Sequence, residues 1–308
     1  MANIVEIPFL NPVRFVPVSP NVMSIDSYLF FEQIKSYEQE VDYAQKWEKS
    51  DTIFLQISSN FGPIQMDMVK CTGEVVTTFP AVAKPTGIVN PQLTTYEISA
   101  ALSTHDEGRY YFILKVGSGV TLEQFISEPQ EIAEELENSI LFQYKHDVND
   151  YDVIFKTGIQ FGFRCEAVIE RFQPGFKSVA YIDQIQNLTQ LSADTFRQYK
   201  LVVGDGAGVP DWVADKLNEI MRCSDVLLDG YQYVRLENSA LEANRQDLYP
   251  MAGWTMDIRE AKKRNSLRSE NNNSPATSFT VVYDIETDVF GTFNGDPAGN
   301  NMQIVSTE

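Results

Sequence analysis

The amino-acid sequence predicts a mainly β protein with some α-helix: an N-terminal β-sandwich, a second α+β domain that is also β-rich, and an extended C-terminal arm. Short runs of alternating apolar and polar residues recur up to residue 118, and apolar residues at helical spacing first appear after it. Residues 260–278 are polar, basic at their start and rich in Ser, Asn and Pro at their end, which is typical of a linker. The predicted domains are therefore residues 1–118, 119–260 and 261–308.

The first domain is organised around residues 43–70. Residues 52–58 (Thr-Ile-Phe-Leu-Gln-Ile-Ser) alternate with the period of two that is typical of a half-buried strand. Residues 60–63 (Asn-Phe-Gly-Pro) have the composition of a turn, and residues 64–68 alternate again. This pattern predicts a β-hairpin with one packed face and one mostly wet face, which is a scaffold element without catalytic residues.

The other strands of the first domain are separated by turn signals at the intervals expected of a sandwich. Residues 4–18 contain three prolines among β-branched and aromatic residues, which favours an edge strand or an extended arm. Further strands are predicted at residues 75–82, interrupted by Pro80, and at residues 96–102 and 108–116.

The second domain mixes helical and strand patterns. One helix is predicted at residues 129–138, after capping-box spacing at residues 121–124, and another at residues 210–222. Asp229-Gly230 predicts a type I′ hairpin turn. The predicted strands cover residues 140–145, 152–156, 160–169, 178–183, 226–228, 231–236 and 254–258.

The C-terminal arm contains one further strand pattern, at residues 279–285. A lone strand beyond a linker cannot bury its own apolar face, so it needs a sheet edge in its own chain or in a neighbour's. Residues 294–300 (Asn-Gly-Asp-Pro-Ala-Gly-Asn) predict a flexible turn, because they lack the terminal glutamate of a calcium loop.

The charge balance excludes one class of function. The 308 residues carry a formal net charge of −19, whereas nucleic-acid binding needs clustered Lys and Arg to displace counterions from phosphates. Two explanations of this charge stay open: it keeps the protein soluble, or it lets another polyanion pass the surface without adhering. The hydrophobic content of 43% is that of an ordinary globular protein and argues against extensive disorder.

The three cysteines, Cys71, Cys165 and Cys223, lie far apart and form neither a CxxC pair nor a metal-binding spacing. They predict buried free thiols and a reducing compartment. The N-terminal residues show no basic segment followed by an apolar core, so we expect no secretory signal. No run approaches the roughly eighteen apolar residues that a membrane span requires.

Two groups of residues are candidates for a cofactor-binding, catalytic or metal site. Residues 204–208 (Gly-Asp-Gly-Ala-Gly) lie between a strand and a helix, as in a dinucleotide-binding loop, but Val209 replaces the third glycine and Pro210 lacks an N–H donor. A turn and a helix start are therefore predicted there. His105 and His146 each precede an aspartate in a turn-like context, without the partners of a catalytic triad or a zinc site.

The aromatic content of 12% raises the alternative of sugar binding, since exposed aromatic rings on a β-sandwich can stack on sugars. Trp47, Trp212 and Trp254 are the tryptophans of the chain. Trp212 falls in a predicted helix and Trp254 in an alternating strand, where packing in the core is the better interpretation.

Several short runs give the sequence a family resemblance. One begins Phe-Gln-Tyr-Lys-His-Asp-Val-Asn-Asp-Tyr-Asp at residue 142, and another reads Trp-Glu-Lys-Ser-Asp-Thr-Ile-Phe-Leu-Gln-Ile. Together they resemble the structural tail and neck proteins of bacteriophages that infect Bacteroidota, including the crAss-like group, and the likeness spans about residues 1–260. The runs occupy residues 47–57, 142–152, 161–166, 180–184, 199–204, 208–218, 237–242 and 249–254.

The resemblance implies a virion component, made in the bacterial host cytoplasm, that assembles as a homo-oligomeric tail or neck ring (a tail hub, for example) around the DNA path. It implies contacts with other tail, neck or portal proteins, passage of DNA through the lumen without specific binding, and no membrane contact. We therefore expect no enzyme, no catalytic, cofactor-binding or metal-binding residues, and no cofactor. A carbohydrate- or receptor-binding tail-tip module is the alternative, and an enzyme that degrades cell-wall or capsule polymer is a third hypothesis.

Overall fold

The computed structural model describes residues 3–18, 43–85, 92–148, 153–182, 186–204, 208–237, 239–245, 251–261, 280–284, 289–295 and 302–306. Contacts within the chain separate it into one unit of residues 1–262 and a second of residues 263–308. The predicted mainly β fold is confirmed. Residues 262–279, which include most of the predicted linker, lie outside the described residues.

The N-terminal part of the first unit is a β-sandwich. One sheet has the strand order β1-β4-β8-β7, and in the other the central β9 pairs with β5 on one edge and with β10 and β11 on the opposite edge. The outer strands of the second sheet are β6, which pairs with β5, β2, which pairs with β10, and β3, which pairs with β11. The strands are β1 (Val5–Glu6), β2 (Phe15–Pro17), β3 (Gln45–Glu48), β4 (Thr52–Ser59), β5 (Ile64–Lys70), β6 (Val75–Pro80), β7 (Val82–Lys84), β8 (Thr94–Ala101), β9 (Gly108–Val116), β10 (Glu123–Ser127) and β11 (Gln130–Ala133).

The strand predictions around residues 43–70 are confirmed, but the predicted hairpin is wrong. β4 pairs with β1 and β8, whereas β5 pairs with β6 and β9, so the turn that contains the cis Gly62–Pro63 bond carries the chain from one sheet to the other. Alternation cannot distinguish the two arrangements, because both sheets direct apolar residues into one core. The residues buried between them include Ile53, Leu55, Ile57, Met66, Met68, Phe112 and Leu114.

The proline-rich N-terminus forms edge strands, which is one of its two predicted alternatives. β1 pairs with β4 and β2 with β10, so each proline-flanked strand closes the border of a different sheet. Pro80 likewise marks a change of sheet, since β6 ends there and β7 pairs with β8 in the opposite sheet.

The helix predicted at residues 129–138 is wrong, because β11 occupies part of this region and β10 ends just before it. β11 pairs with β3 in parallel and with β9 antiparallel, and Ile132 enters the sandwich core. Pairing with two strands distant in sequence overrides a weak helical spacing here. Both strands follow residue 118 yet join the sheet of β9; the predicted domain boundary at 118 stays a prediction.

The remainder of the first unit is a six-stranded antiparallel barrel with one helix. Pairing runs through β12, β13, β14, β18, β16 and β15 and returns to β12, while β17 continues beside β18. The core holds Phe142, Tyr144, Phe161, Phe163 and Leu201 together with Val213, Leu217 and Ile220 of the helix. The elements are β12 (Ser139–Lys145), β13 (Phe161–Ile182), β14 (Leu188–Val203), α1 (Asp211–Ile220), β15 (Asp225–Leu228), β16 (Tyr231–Arg235), β17 (Glu242–Arg245) and β18 (Ala252–Glu260).

Most local predictions for this region are confirmed, including the second helix and the type I′ turn. Asp229 and Gly230 have φ values of 47° and 81°, as that turn requires. The strand predicted at 152–156 is wrong, because its described part contains a 3₁₀ turn, Phe155–Thr157, which ends at Gly158 with φ 84°. The strands predicted at 160–169 and 178–183 are two parts of the single strand β13.

The second unit contains a three-stranded antiparallel sheet of β19 (Thr280–Asp284), β20 (Val289–Gly295) and β21 (Met302–Ser306). The strand predicted at 279–285 is therefore confirmed, and its own chain supplies the sheet that it needs. The flexible turn predicted at 294–300 is wrong at its first two residues, which end β20, and its other residues lie outside the described part.

Candidate interaction surface

The longest strands of the barrel extend past the point where the other strands stop. β12 pairs with β13 only as far as Glu166, and β18 pairs with β14 only as far as Gln198. Beyond these points β13 and β14 pair with each other from Gln173–Gln198 to Ile182–Leu188. We call residues 173–182 and 188–198 the ribbon; within the described part of the chain, its outer edges have no strand partner except at Gln198, which pairs with Arg259 at the base of the ribbon.

Two irregularities shape the ribbon. β13 has one extra residue between Glu170 and Gln173, and on β14 Leu191 is the extra residue between the paired positions 190 and 192. Bulges of this kind bend a strand and increase its twist. Gly175 lies beneath the ring of Phe196, and a Cβ atom there would come within 2.1 Å of that ring. The backbone therefore approaches an aromatic side chain at a position where only glycine fits.

The ribbon exposes apolar side chains of a size that is normally buried. The ribbon contains three charged residues, Lys177, Asp194 and Arg197. Exposed apolar side chains with so few charges among them are typical of an interaction site. The exposed apolar residues are Phe176 (60%), Val179 (54%), Tyr181 (57%), Ile182 (62%), Leu188 (69%) and Leu191 (65%).

One face of the ribbon contacts the body of the same chain. The Nζ of Lys177 lies 3.1 Å from the carboxylate of Glu237, and the hydrogen bond and the positive charge of Lys177 lower the pKa of that carboxyl group. The guanidinium of Arg259 lies 5.5 Å from the ring centre of Phe196. Phe196 and Lys177 are on one face, because partners across strands share a face and neighbours along a strand alternate.

The barrel is fixed to the sandwich by an ion cluster around Arg164 of β13. Its Nε and Nη2 atoms lie 2.7 Å and 3.0 Å from the two carboxylate oxygens of Asp51, and Nη2 lies 2.9 Å from Glu48. Its Nη1 donates to Ser139 at 3.0 Å. Burial alone would lower the pKa of Arg164, but the hydrogen bond and charge of Asp51 and the charge of Glu48 raise it. The guanidinium of Arg164 and the carboxylate of Asp51 thus form a bidentate ion pair, which fixes the position of the barrel relative to the sandwich.

The N-terminal segment is fixed in its own chain by a second polar group. The side chain of Asn11 exchanges two hydrogen bonds with the backbone of Gln56, of 2.8 Å and 2.9 Å. Lys216 of α1 is buried and donates to the carbonyls of Phe9 and Asn11. The side chain of Gln56 in turn bonds both backbone groups of Ile154. Residues 9–11 therefore connect the sandwich to the helix of the barrel region through hydrogen bonds.

The helix start predicted after the glycine-rich loop is confirmed, and residues 205–207 of the loop lie outside the described residues. Gly204 and Gly208 have φ values of 73° and 78°, and the Gly208 N–H donates to the Gly204 carbonyl at 2.9 Å. Val209 exchanges backbone hydrogen bonds with Ala252, so its N–H is also engaged in the fold. A Cβ on Gly208 would lie 3.0 Å from the Ala252 nitrogen, so packing explains this glycine.

The other sequence candidates are dispersed over the fold. His105 lies in the turn before β9, 6.0 Å from the ring of Phe79, and His146 follows β12, 6.2 Å from the ring of Phe155. Across the described ranges, no group of His, Cys, Asp and Glu has the arrangement of a metal site. Cys165 and Cys223 are buried free thiols as predicted, but the prediction is wrong for the third cysteine, Cys71, which is exposed.

The tryptophans confirm the prediction of core packing. Trp47 is fully buried and donates to Gln130 at 2.7 Å, and Trp212 packs edge-on against Tyr43. Trp254 is half-buried against the barrel core. The exposed aromatic rings of the ribbon, Phe176 and Tyr181, were not singled out from the sequence.

A cleft of about 550 Å³ lies between the outer face of β4 and the barrel strands β12 and β13. Its ionisable groups are all in ion pairs: Lys84 lies 3.2 Å from Glu97, and Asp51 is paired with Arg164, which does not line the cleft. The remaining lining groups include Phe54, Leu141 and Gln143. The charged side chains that line the cleft are therefore neutralised by ion pairs, and the other side chains named are uncharged.

A scan against protein-family models found no match, and searches of curated proteins and of solved structures found no match either. None of the described helices is both long and apolar enough to cross a membrane.

Proposed function

We propose that this chain is a structural virion protein of a tailed bacteriophage, a subunit of an oligomeric tail or neck ring around the DNA conduit. The observation that carries the proposal is the ribbon: an apolar, sparsely charged pair of strands with both outer edges unpaired in the described part of the chain. Such a surface supports a role in which copies of the protein associate by pairing their β-strands. The runs that resemble phage tail and neck proteins support a tail or neck ring as the assembly that these copies form.

The net charge of −19 supports the same role. A ring that surrounds DNA must allow it to slide, and an acidic surface repels phosphates instead of holding them. The neighbours would be other tail, neck or portal proteins, and the site of action the virion.

Light scattering of the purified chain over a range of concentrations, together with negative-stain imaging, tests the assembly. We expect ring-shaped oligomers with a mass several times that of the 34.9 kDa chain. Quantitative mass spectrometry of purified phage particles tests the location, and we expect a fixed copy number per particle. A strict monomer at high concentration that is never found in particles would contradict the proposal.

A further inference from the structure

The two outer edges of the ribbon are complementary to each other. β13 and β14 are antiparallel, and in the ribbon beyond Gln198 each leaves one edge without a strand partner within the described residues. The β14 edge of one copy can therefore continue antiparallel pairing with the β13 edge of a second copy. Because the two edges belong to different strands, this contact is head-to-tail, and repeated head-to-tail contacts close into a ring.

We propose that the ribbons of successive copies pair in this way, β14 against β13, and close into an intermolecular β-barrel at the centre of the assembly. This inference rests on the proposed function, since it names the contact by which the ring forms. A two-stranded ribbon is marginally stable by itself, whereas closure into a barrel removes every free edge. Pairing with identical neighbours therefore supplies the backbone hydrogen bonds that the outer edges of the ribbon lack within their own chain.

The charge distribution favours a second copy over other occupants. A membrane surface would attract clustered basic side chains, but the ribbon has only two, Lys177 and Arg197, and Lys177 pairs with Glu237. The rest of the molecule is strongly acidic, so close approach of copies is least opposed where charges are fewest. A neighbouring ribbon has the same sparse charge and the same unpaired backbone groups.

Alternation along the strands also assigns the two faces. Lys177 and Phe196 are on the face that contacts the body of the same chain, and Phe176, Ile182 and Leu188 are on the opposite face. Neighbouring ribbons in the same orientation would place this second face on one side of the barrel wall. On that side the ribbon has one basic residue, Arg197 at its base, and the rest of the face has no Lys or Arg to hold a phosphate, which suits the lining of a DNA conduit.

The test compares the double variant Ile182→Asp/Leu188→Asp with the wild-type chain. Both side chains are exposed and paired with each other across the strands, so the variant should keep its circular dichroism spectrum and its melting temperature within about 3 °C. In a ring it would place several carboxylates side by side, and the dissociation constant of the assembly should rise by at least about tenfold. Val148→Asp is the matched control, because Val148 is equally exposed but lies in a turn outside the ribbon; it should assemble like the wild type.

Disulfide formation tests the pairing itself. In a Cys71→Ser background, Ser178→Cys on β13 and Gln190→Cys on β14 are mixed and oxidised, and Leu188→Cys and Thr195→Cys replace Gln190→Cys to sample other registers on the same face of the ribbon. Head-to-tail pairing predicts covalent dimers in at least one mixture and few with either single variant alone. Homodimers of Ser178→Cys, with no heterodimers in any of the mixtures, would overturn the inference.

The outcomes separate the two proposals. Assembly of the wild type and the control but not of the ribbon variant supports both. Assembly of all three with equal affinity overturns the ribbon barrel and leaves the ring proposal intact. A wild-type chain that stays monomeric at all concentrations overturns the ring proposal and the inference with it.

Discussion

Replacing Arg164 by Met should destabilise the protein more than any other loss of a single charge discussed above. The guanidinium is nearly buried, with 8% of its side chain exposed, and the Asp51 side chain that it contacts is 3% exposed. Methionine fills most of the same volume, so the substitution removes the charge and its hydrogen bonds without opening a large cavity. The two carboxylates of Asp51 and Glu48 then remain close together without their common cation.

The expected magnitude follows from that geometry. Removing one partner of a buried ion pair costs about 3–5 kcal/mol, because the other charge stays buried without compensation. Asp51 also accepts the backbone N–H of Glu48 at 2.8 Å, so part of its hydrogen bonding survives and the lower end, about 3 kcal/mol, is expected. Against a typical total stability of about 5–15 kcal/mol, this is a large fraction.

Urea unfolding followed by tryptophan fluorescence measures the effect, since Trp47 and Trp212 are buried on either side of the contact, in the sandwich and against the barrel core. Arg109→Met is the matched control: Arg109 is half exposed and lies 3.9 Å from Glu131, so its loss should cost less than about 1 kcal/mol. The double variant Asp51→Asn/Arg164→Met should lose clearly less than the sum of the two single variants.

Two results would refute the reasoning. A loss below about 1 kcal/mol in Arg164→Met would mean that the carboxylates regain solvent at little cost, and that the contact does not hold the barrel on the sandwich. Strict additivity in the double variant would mean that Arg164 and Asp51 do not act on each other.

Four further predictions concern individual side chains. A thiol reagent should label Cys71 rapidly in the native protein and Cys165 and Cys223 only after unfolding, as counted by mass spectrometry. Burial, reinforced by the charge of Glu166, raises the pKa of Cys165, so the folded state keeps a proton that the unfolded state loses; stability should fall by about 1.4 kcal/mol per pH unit above about pH 9, and Cys165→Ala should flatten this slope in urea titrations. Lys216→Met should cost about 2–3 kcal/mol in the same assay, because two buried carbonyls lose their donor, and hydrogen exchange near residue 10 should accelerate. Gly208→Ala should cost about 1–2 kcal/mol, from its φ of 78° and its approach to Ala252, with Gly73→Ala, which has open space, as the control for φ alone.

The sequence predicted most strands because their alternation reflects burial on one side. It could not predict which strands pair, and the error at residues 43–70 shows why. β4 and β5 are adjacent in sequence, have the same period and bury apolar residues in the same core, but they lie in opposite sheets. The alternation of apolar and polar residues predicts the direction of each side chain, but it does not predict which strand the backbone pairs with.

The ribbon was missed for a related reason. Strands are predicted at residues 160–169 and 178–183, and Pro174 and Gly175 lie in the gap between them. Pro lacks an N–H, but beyond Ala167 the outer edge of β13 has no partner in the described part of the chain, so a missing donor on that side breaks no ladder. Gly175 is required beneath Phe196, a contact that depends on a residue 21 positions later.

The polar contacts that stabilise the first unit were equally invisible in the sequence. Arg164 and Asp51 are separated by 113 positions, and Lys216 and Asn11 by 205. Each of these residues, taken alone, has the composition of an ordinary surface side chain. Their burial follows only from the packing of the barrel on the sandwich, which no local pattern encodes.

The ribbon and the buried ion cluster belong to one strand, and this connection has a physical consequence. β13 carries Arg164 at its base, in the contact with the sandwich, and continues into the exposed ribbon through a barrel in which every member strand is paired on both sides. A barrel closed in this way resists bending, so the direction of the ribbon is set by the body that holds its base. Pairing between copies then costs little conformational entropy, because the strands to be joined are already formed and oriented. Loss of Arg164 should therefore weaken assembly as well as stability, although this residue lies outside the ribbon.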